Sequence, residues 1–176
     1  DDSLEARASS SLLVHLLRPK YFTSLRTEQQ LGYVVTAIQA EYENQGGVGF
    51  VIQSPVASAQ TLVGRTTQFL DWQREALTSL EAEAFSEAKA GLIAEILEKD
   101  KNLGSRAGRY WSDLDEGIMT FDGREQLAAT IVALSKAELI AFFEQVAEKI
   151  NDRPLFIWSQ GKFAASEGES EAAPAL

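Results

Sequence analysis

Gly32-Tyr33-Val34-Val35-Thr36-Ala37-Ile38-Gln39-Ala40 and, past the polar stretch 41–46, Gly47-Val48-Gly49-Phe50-Val51-Ile52-Gln53-Ser54 decide the fold class. Both runs are rich in β-branched and aromatic residues, bounded by glycine and by Ser54-Pro55. That pattern predicts two antiparallel strands joined by a loop. Gly46-Gly47-Val48-Gly49 has the look of a phosphate loop. Such loops follow a strand and open a helix, whereas these glycines precede a strand, so a hairpin turn is expected.

On the N-terminal side of the hairpin the period is helical. Ala8, Leu12, Leu13 and Leu16 form a stripe within a helix expected over Leu4 to about Arg18, with Pro19 ending it or opening a second turn. A shorter helical piece carries Tyr21, Phe22 and Leu25 on one face, and Gly32 is expected to break it with a positive φ. On the C-terminal side, Ala57 to Ile150 reads as helix throughout. Asp122 with Glu125, and Ser135 with Glu138, have the form of capping boxes at two helix starts. Leu155-Phe156-Ile157-Trp158 is expected as a short apolar strand. The class is therefore α+β, a small mainly antiparallel sheet covered on one face by several helices. One domain over 1–163 and a polar acidic tail over 164–176 are expected.

Composition narrows the chemistry. Among 176 residues, 16 basic side chains face 26 acidic ones, a net charge of −10, and no basic patch is visible to hold a polyphosphate. Nucleic acid is not an expected partner, nor is a membrane, since no apolar run approaches the roughly 20 residues of a span. There is no Cys and one His, His15, so thiol catalysis and the common zinc ligand sets are both out of reach. His15 is expected at the core edge of its helix. The acidic group Asp113, Asp115 and Glu116 is read as a solvated face, and Trp72, Trp111 and Trp158 as core. The chain opens on Asp1-Asp2 without a Met, and a piece cut from a longer protein is expected.

One segment asks for more than a structural reading. Leu25-Arg26-Thr27-Glu28-Gln29-Gln30-Leu31-Gly32-Tyr33-Val34-Val35 resembles the signature of the C-terminal half of the insulinase/pitrilysin zinc peptidases. The hairpin ending in Phe50-Val51-Ile52-Gln53-Ser54, the Glu83-Ala84-Phe85 helix opening, Arg109-Tyr110-Trp111 and Phe121-Asp122 follow in the same order, so the resemblance spans about Leu12 to Trp158. It implies a truncated domain of the insulinase/pitrilysin (LuxS/MPP-like) metallopeptidase fold, lacking its first strand. It also implies that this is the non-zinc domain, closing a substrate chamber opposite an N-terminal half. The inverted H-x-x-E-H motif is absent here, and the zinc would belong to that other half. No cofactor is expected in the fragment, which alone should be inactive.

By the same resemblance Tyr33 is the catalytic residue and Arg26, with Tyr33, binds the peptide substrate. The chemistry suits them: a tyrosine hydroxyl donates one hydrogen bond without charge to a developing oxyanion, and a guanidinium offers a fixed fork for backbone carbonyls. The other reading is a non-catalytic peptide-binding or scaffold domain of the same fold, which has no need of an oxyanion donor. An exposed sheet edge is expected to pair with a second copy or with the 164–176 tail. The compartment is unknown, with the resemblance leaning to a bacterial periplasm.

Overall fold

In the computed structural model, which describes residues 4–42, 45–152 and 154–159, a central helix carries an antiparallel hairpin on one side, and five further α-helices follow in the described residues. The helix, α1 (Leu4–Tyr21), runs on into a π-helical turn over Phe22–Glu28. The hairpin is β1 (Val34–Tyr42) and β2 (Gln45–Gln53), in register from Val34 opposite Gln53 to Tyr42 opposite Gln45. Then come α2 (Ala59–Thr78), α3 (Ala82–Ile96), α4 (Leu103–Asp115), α5 (Gly123–Ala133) and α6 (Lys136–Asp152).

α1 is buried on nearly every side, as a helix sandwiched between layers must be. Leu12, Leu13 and Leu17 fill the core with Phe69, Leu77, Ile131, Leu139 and Phe143 from the surrounding helices. On its hairpin side α1 uses small residues. Ser9, Ser10 and Ser11 are buried, and a Cβ on Gly46 would stand 3.1 Å from the Ala6 carbonyl oxygen. Gly46, Gly47 and Gly49 therefore sit within β2 rather than in the turn, and Gly46 and Gly49 make room for α1 and for Ile38.

Pro19 does not stop the helix. It lies inside α1, where it leaves the His15 carbonyl without its usual N–H partner. The burial of Tyr21 and Leu25 holds the chain helical beyond it, and the turn that follows is widened to a π-helix. Phe22, expected on one face with Tyr21 and Leu25, is exposed while those two are buried. The left-handed residue that ends this segment is Gln30, with φ 53°, not Gly32.

Two helix ends are closed across the fold. Lys89 of α3 donates to the Val132 and Leu134 carbonyls at the end of α5, and Lys136 to those of Thr78 and Leu80 at the end of α2. Ser135 and Glu138 form the reciprocal capping box: the Ser135 N–H reaches Glu138 Oε2 at 2.8 Å, and the Glu138 N–H reaches Ser135 Oγ at 3.2 Å. Asp122 caps no N–H of α5, because its carboxylate is taken by Thr120 Oγ1 and Gln126 Nε2.

Three further expectations change. Leu155–Trp158 joins no sheet: Leu155 and Ile157 are almost wholly exposed beside a cavity of about 540 Å³ along β2. Trp72, Trp111 and Trp158 all lie at the surface. Asp113 is buried rather than solvated, while Glu116 pairs with Arg7 at 2.8 Å. No single helix among the described residues is long and apolar enough to cross a membrane. The 164–176 tail lies outside the described residues.

Candidate functional site

The site is built where the π-helical turn hands over to β1. Leu25 and Ser24, both buried, anchor the turn from inside, so its outer face carries Phe22 and Arg26. The Leu31 N–H bonds back to the Leu25 carbonyl at 2.9 Å, closing a loop that returns the chain across the end of the helix. Gly32 then passes so close to the end of β2 that only a residue without a side chain fits, since its Cβ would meet the Gln53 carbonyl oxygen at 2.5 Å. The next residue, Tyr33, bonds that same oxygen through its N–H at 3.0 Å.

This return brings Arg26 and Tyr33 together. The Arg26 guanidinium lies 5.3 Å from the Phe22 ring centroid and 5.4 Å from that of Tyr33, and its Nε–H donates to the Tyr33 carbonyl at 3.2 Å. Two rings and one backbone acceptor thus fix the cation. Among the described residues Arg26 has no acidic partner, Glu28 included. Its remaining N–H groups are available to a ligand. Tyr33 is 77% exposed, and its hydroxyl meets no protein partner among the described residues. A side chain that open, flanked by a fixed cation, offers a neutral donor and a charged fork to the same extended ligand.

Sequence reasoning named Arg26 and Tyr33 and missed Phe22. The signal for it was present, because Phe22 stands four residues before Arg26, the spacing at which helical side chains meet. Behind the site the support is rigid. Arg18 Nε–H holds the Ala37 carbonyl at 2.9 Å, and buried Tyr21 packs on Phe50 and Phe69 at 4.9 and 5.0 Å. Its hydroxyl bonds Thr66 Oγ1 at 2.8 Å, and burial pushes that phenol far above its usual range.

Nothing here fits a zinc ion. His15, at the α1–α3 contact, has Glu95 within reach at 3.6 Å, and the chain has no Cys. Among the described residues no three His, Cys, Asp or Glu side chains converge on a point.

Comparison with known proteins places these residues in a family context. Residues 12–111 match the family described as PQQ synthase PqqF-like, C-terminal lobe domain 4, a match that includes Arg26 and Tyr33. The chain is 33% identical over 144 residues to Protease 3 of Escherichia coli (strain K12), covering 82% of this chain and 15% of that protein. It is 33% identical over 124 residues to the peroxisomal insulin-degrading enzyme-like 1 of Arabidopsis thaliana, covering 70% and 13%. The crystal structure of pitrilysin superimposes with a TM-score of 0.76 at 32% identity, over 82% of this chain and 16% of that one. The chain therefore spans about a sixth of the length of the relatives it matches.

Proposed function

The chain belongs to the insulinase/pitrilysin peptidases as a C-terminal-lobe domain 4, and from that premise we propose that it completes the peptide-binding chamber of a larger metallopeptidase. In this reading Arg26 grips the backbone carbonyls of an extended peptide. Tyr33 donates its hydroxyl to the scissile carbonyl oxygen as that oxygen gains negative charge. The observation that carries the reading is the pairing itself: a cation without an acidic partner among the described residues, set against two rings, beside an exposed phenol.

The division of labour follows from the chemistry of the two groups. A guanidinium bonds a ground-state carbonyl and an oxyanion alike, so Arg26 contributes mainly to substrate binding and alignment. A neutral phenol gains most as the acceptor becomes charged, so Tyr33 contributes mainly to the transition state. Among the described residues no His, Cys, Asp or Glu cluster could hold the hydrolytic metal, and in this reading that metal, which would activate water, is held by the N-terminal half. The isolated 176 residues are accordingly expected to cleave no peptide. Arg26→Ala in the intact peptidase tests the binding role, with most of the loss expected in KM. Stoichiometric, chelator-sensitive zinc in the isolated chain, or turnover of a quenched peptide by it, contradicts the division between halves.

A scaffold domain of the same fold is the competing reading. It leaves Arg26 and Tyr33 without a task, and peptide turnover unaffected by their loss is its signature. One further feature bears on the isolated chain. Among the described residues β1 and β2 form a two-stranded sheet, so each strand keeps an outer edge with no strand partner. An open flank of this kind favours strand pairing, and we assign that role to a second copy when the domain stands alone.

A further inference from the structure

Arg26 has a counterpart two steps back along the same helical run. Arg18, Phe22 and Arg26 stand four residues apart, Arg18 and Phe22 exposed and Arg26 half-buried. Around an α-helix of 3.6 residues per turn, residues spaced by four drift by about 40° per step. The π-helical turn over Phe22–Glu28 winds less per residue, which takes up part of that drift and keeps the three in a row. Both arginines fasten onto the strand beside them. Arg26 Nε–H donates to the Tyr33 carbonyl at 3.2 Å, and Arg18 Nε–H to that of Ala37 at 2.9 Å. Eight helical residues rise about 12 Å and four strand residues about 13 Å, so helix and strand keep step and the two cations lie about that far apart.

Neither guanidinium has an acidic partner among the described residues. Arg18 spends its Nε–H on Ala37, and both of its terminal amino groups remain open to a ligand. The surroundings are short of acid. Residues 6–27 hold no Asp or Glu in a chain of net charge −10, and Lys20 adds another exposed cation. A positive row on an acidic molecule draws carboxylates toward it.

Resting on the reading of Arg26 and Tyr33 above, we propose that Arg18 binds an acidic side chain of the peptide substrate, about four residues along the extended chain from the carbonyl that Tyr33 serves. The substrate class is thus a peptide with Asp or Glu at that remove from the cleaved bond. A carboxylate suits the free end of Arg18, because two parallel N–H groups meet its two oxygens with opposite charge. Arg26 and Arg18 then hold one peptide at two points and fix its register, Arg26 through the backbone and Arg18 through a side chain.

The test is steady-state kinetics of the intact peptidase on peptides of one sequence, amidated at the C-terminus. Each carries Glu, Gln or Lys at one position, three to five residues from the cleaved bond on either side, with the bond cut confirmed by mass spectrometry. At one such position Glu should be preferred over Gln by roughly three- to fivefold in kcat/KM, mostly through KM, the size of one exposed ion pair. The preference should fade in about 1 M salt, where screening acts within about 3 Å. Arg18→Gln should abolish it, Arg18→Lys keep part of it, and Arg18→Glu invert it in favour of the Lys peptide. Each result is a ratio between peptides on one preparation, so a general loss of folding or activity cancels. The absence of any charge preference in the wild type overturns the inference. So does a preference for Glu that survives Arg18→Gln or Arg18→Glu, since Arg18 would then only tie α1 to β1. Arg26→Ala and Tyr33→Phe act on Glu, Gln and Lys peptides alike. A missing charge preference beside an intact Tyr33 effect therefore sinks this inference alone, and a clear preference in an enzyme indifferent to Tyr33→Phe sinks the catalytic role alone.

Discussion

The Gln53 carbonyl oxygen accepts the Tyr33 N–H at 3.0 Å and stands 2.5 Å from the point where a β-carbon on Gly32 would lie. One oxygen therefore both places the candidate catalytic residue and forbids a side chain beside it. Gly32→Ala must push the two backbones apart. The expected cost is about 1–3 kcal/mol of domain stability, the usual result of forcing extra volume into close packing. Peptide turnover should fall by more than the stability loss explains, because Tyr33 moves with the strand end. Chemical denaturation beside steady-state kinetics checks both, and an unchanged midpoint contradicts the packing argument.

The Asp100 carboxylate lies below the usual carboxylate range, chiefly through its hydrogen bonds with Arg109 and further through Arg124 and Arg106. Serine hydrogen bonds lower Glu138 in the same way. A group whose folded pKa is depressed contributes stability that is present above its unfolded value, near pH ~4, and lost as pH falls through the folded one. Asp100→Asn should therefore melt lower than wild type at pH 7, with the gap closing as pH is taken below about 4. Thermal melts across that range check the sign, and a gap that widens in acid contradicts it.

Phe22 is half of the aromatic bracket around Arg26. Removing it in Phe22→Ala leaves the guanidinium with one ring and one carbonyl. At an exposed site the lost cation–π contact amounts to about 0.5–1 kcal/mol, so KM should rise by roughly two- to fivefold with kcat nearly unchanged. Phe22→Leu, which keeps bulk without a π face, should behave like the alanine variant. Rescue by leucine would mean that Phe22 acts by packing alone.

How much of this was legible depended on whether the deciding force was local. The hairpin was legible because β-branched runs between glycines state their own conformation, and the Ser135–Glu138 box because it is closed within four residues. Arg26 and Tyr33 were legible through the resemblance of the segment around them. Gly32 stood out for the wrong reason: the left-handed turn falls on Gln30, and Gly32 is needed for a close approach that depends on Gln53. Pro19 hid the continuation of α1, since the burial of Tyr21 and Leu25 outweighs a local stop signal. The tryptophans misled because a stripe shows which residues share a face, never what that face meets; on α4, Leu103 and Trp111 of that face are exposed. Leu155–Trp158 has strand composition, but a strand exists only with a neighbour to bond.

Tyr33→Phe in the intact peptidase bears most directly on the central claim. The substitution removes one oxygen from a side chain that is mostly exposed, so the melting temperature should be unchanged. Loss of one oxyanion donor lowers kcat by on the order of 10²–10³, with KM moving far less because the bond strengthens as the carbonyl becomes charged. Steady-state kinetics with a thermal melt on the same preparation gives the answer. A kcat near that of the wild type, or one that falls only in step with lost stability, would make Tyr33 a structural residue and contradict the account.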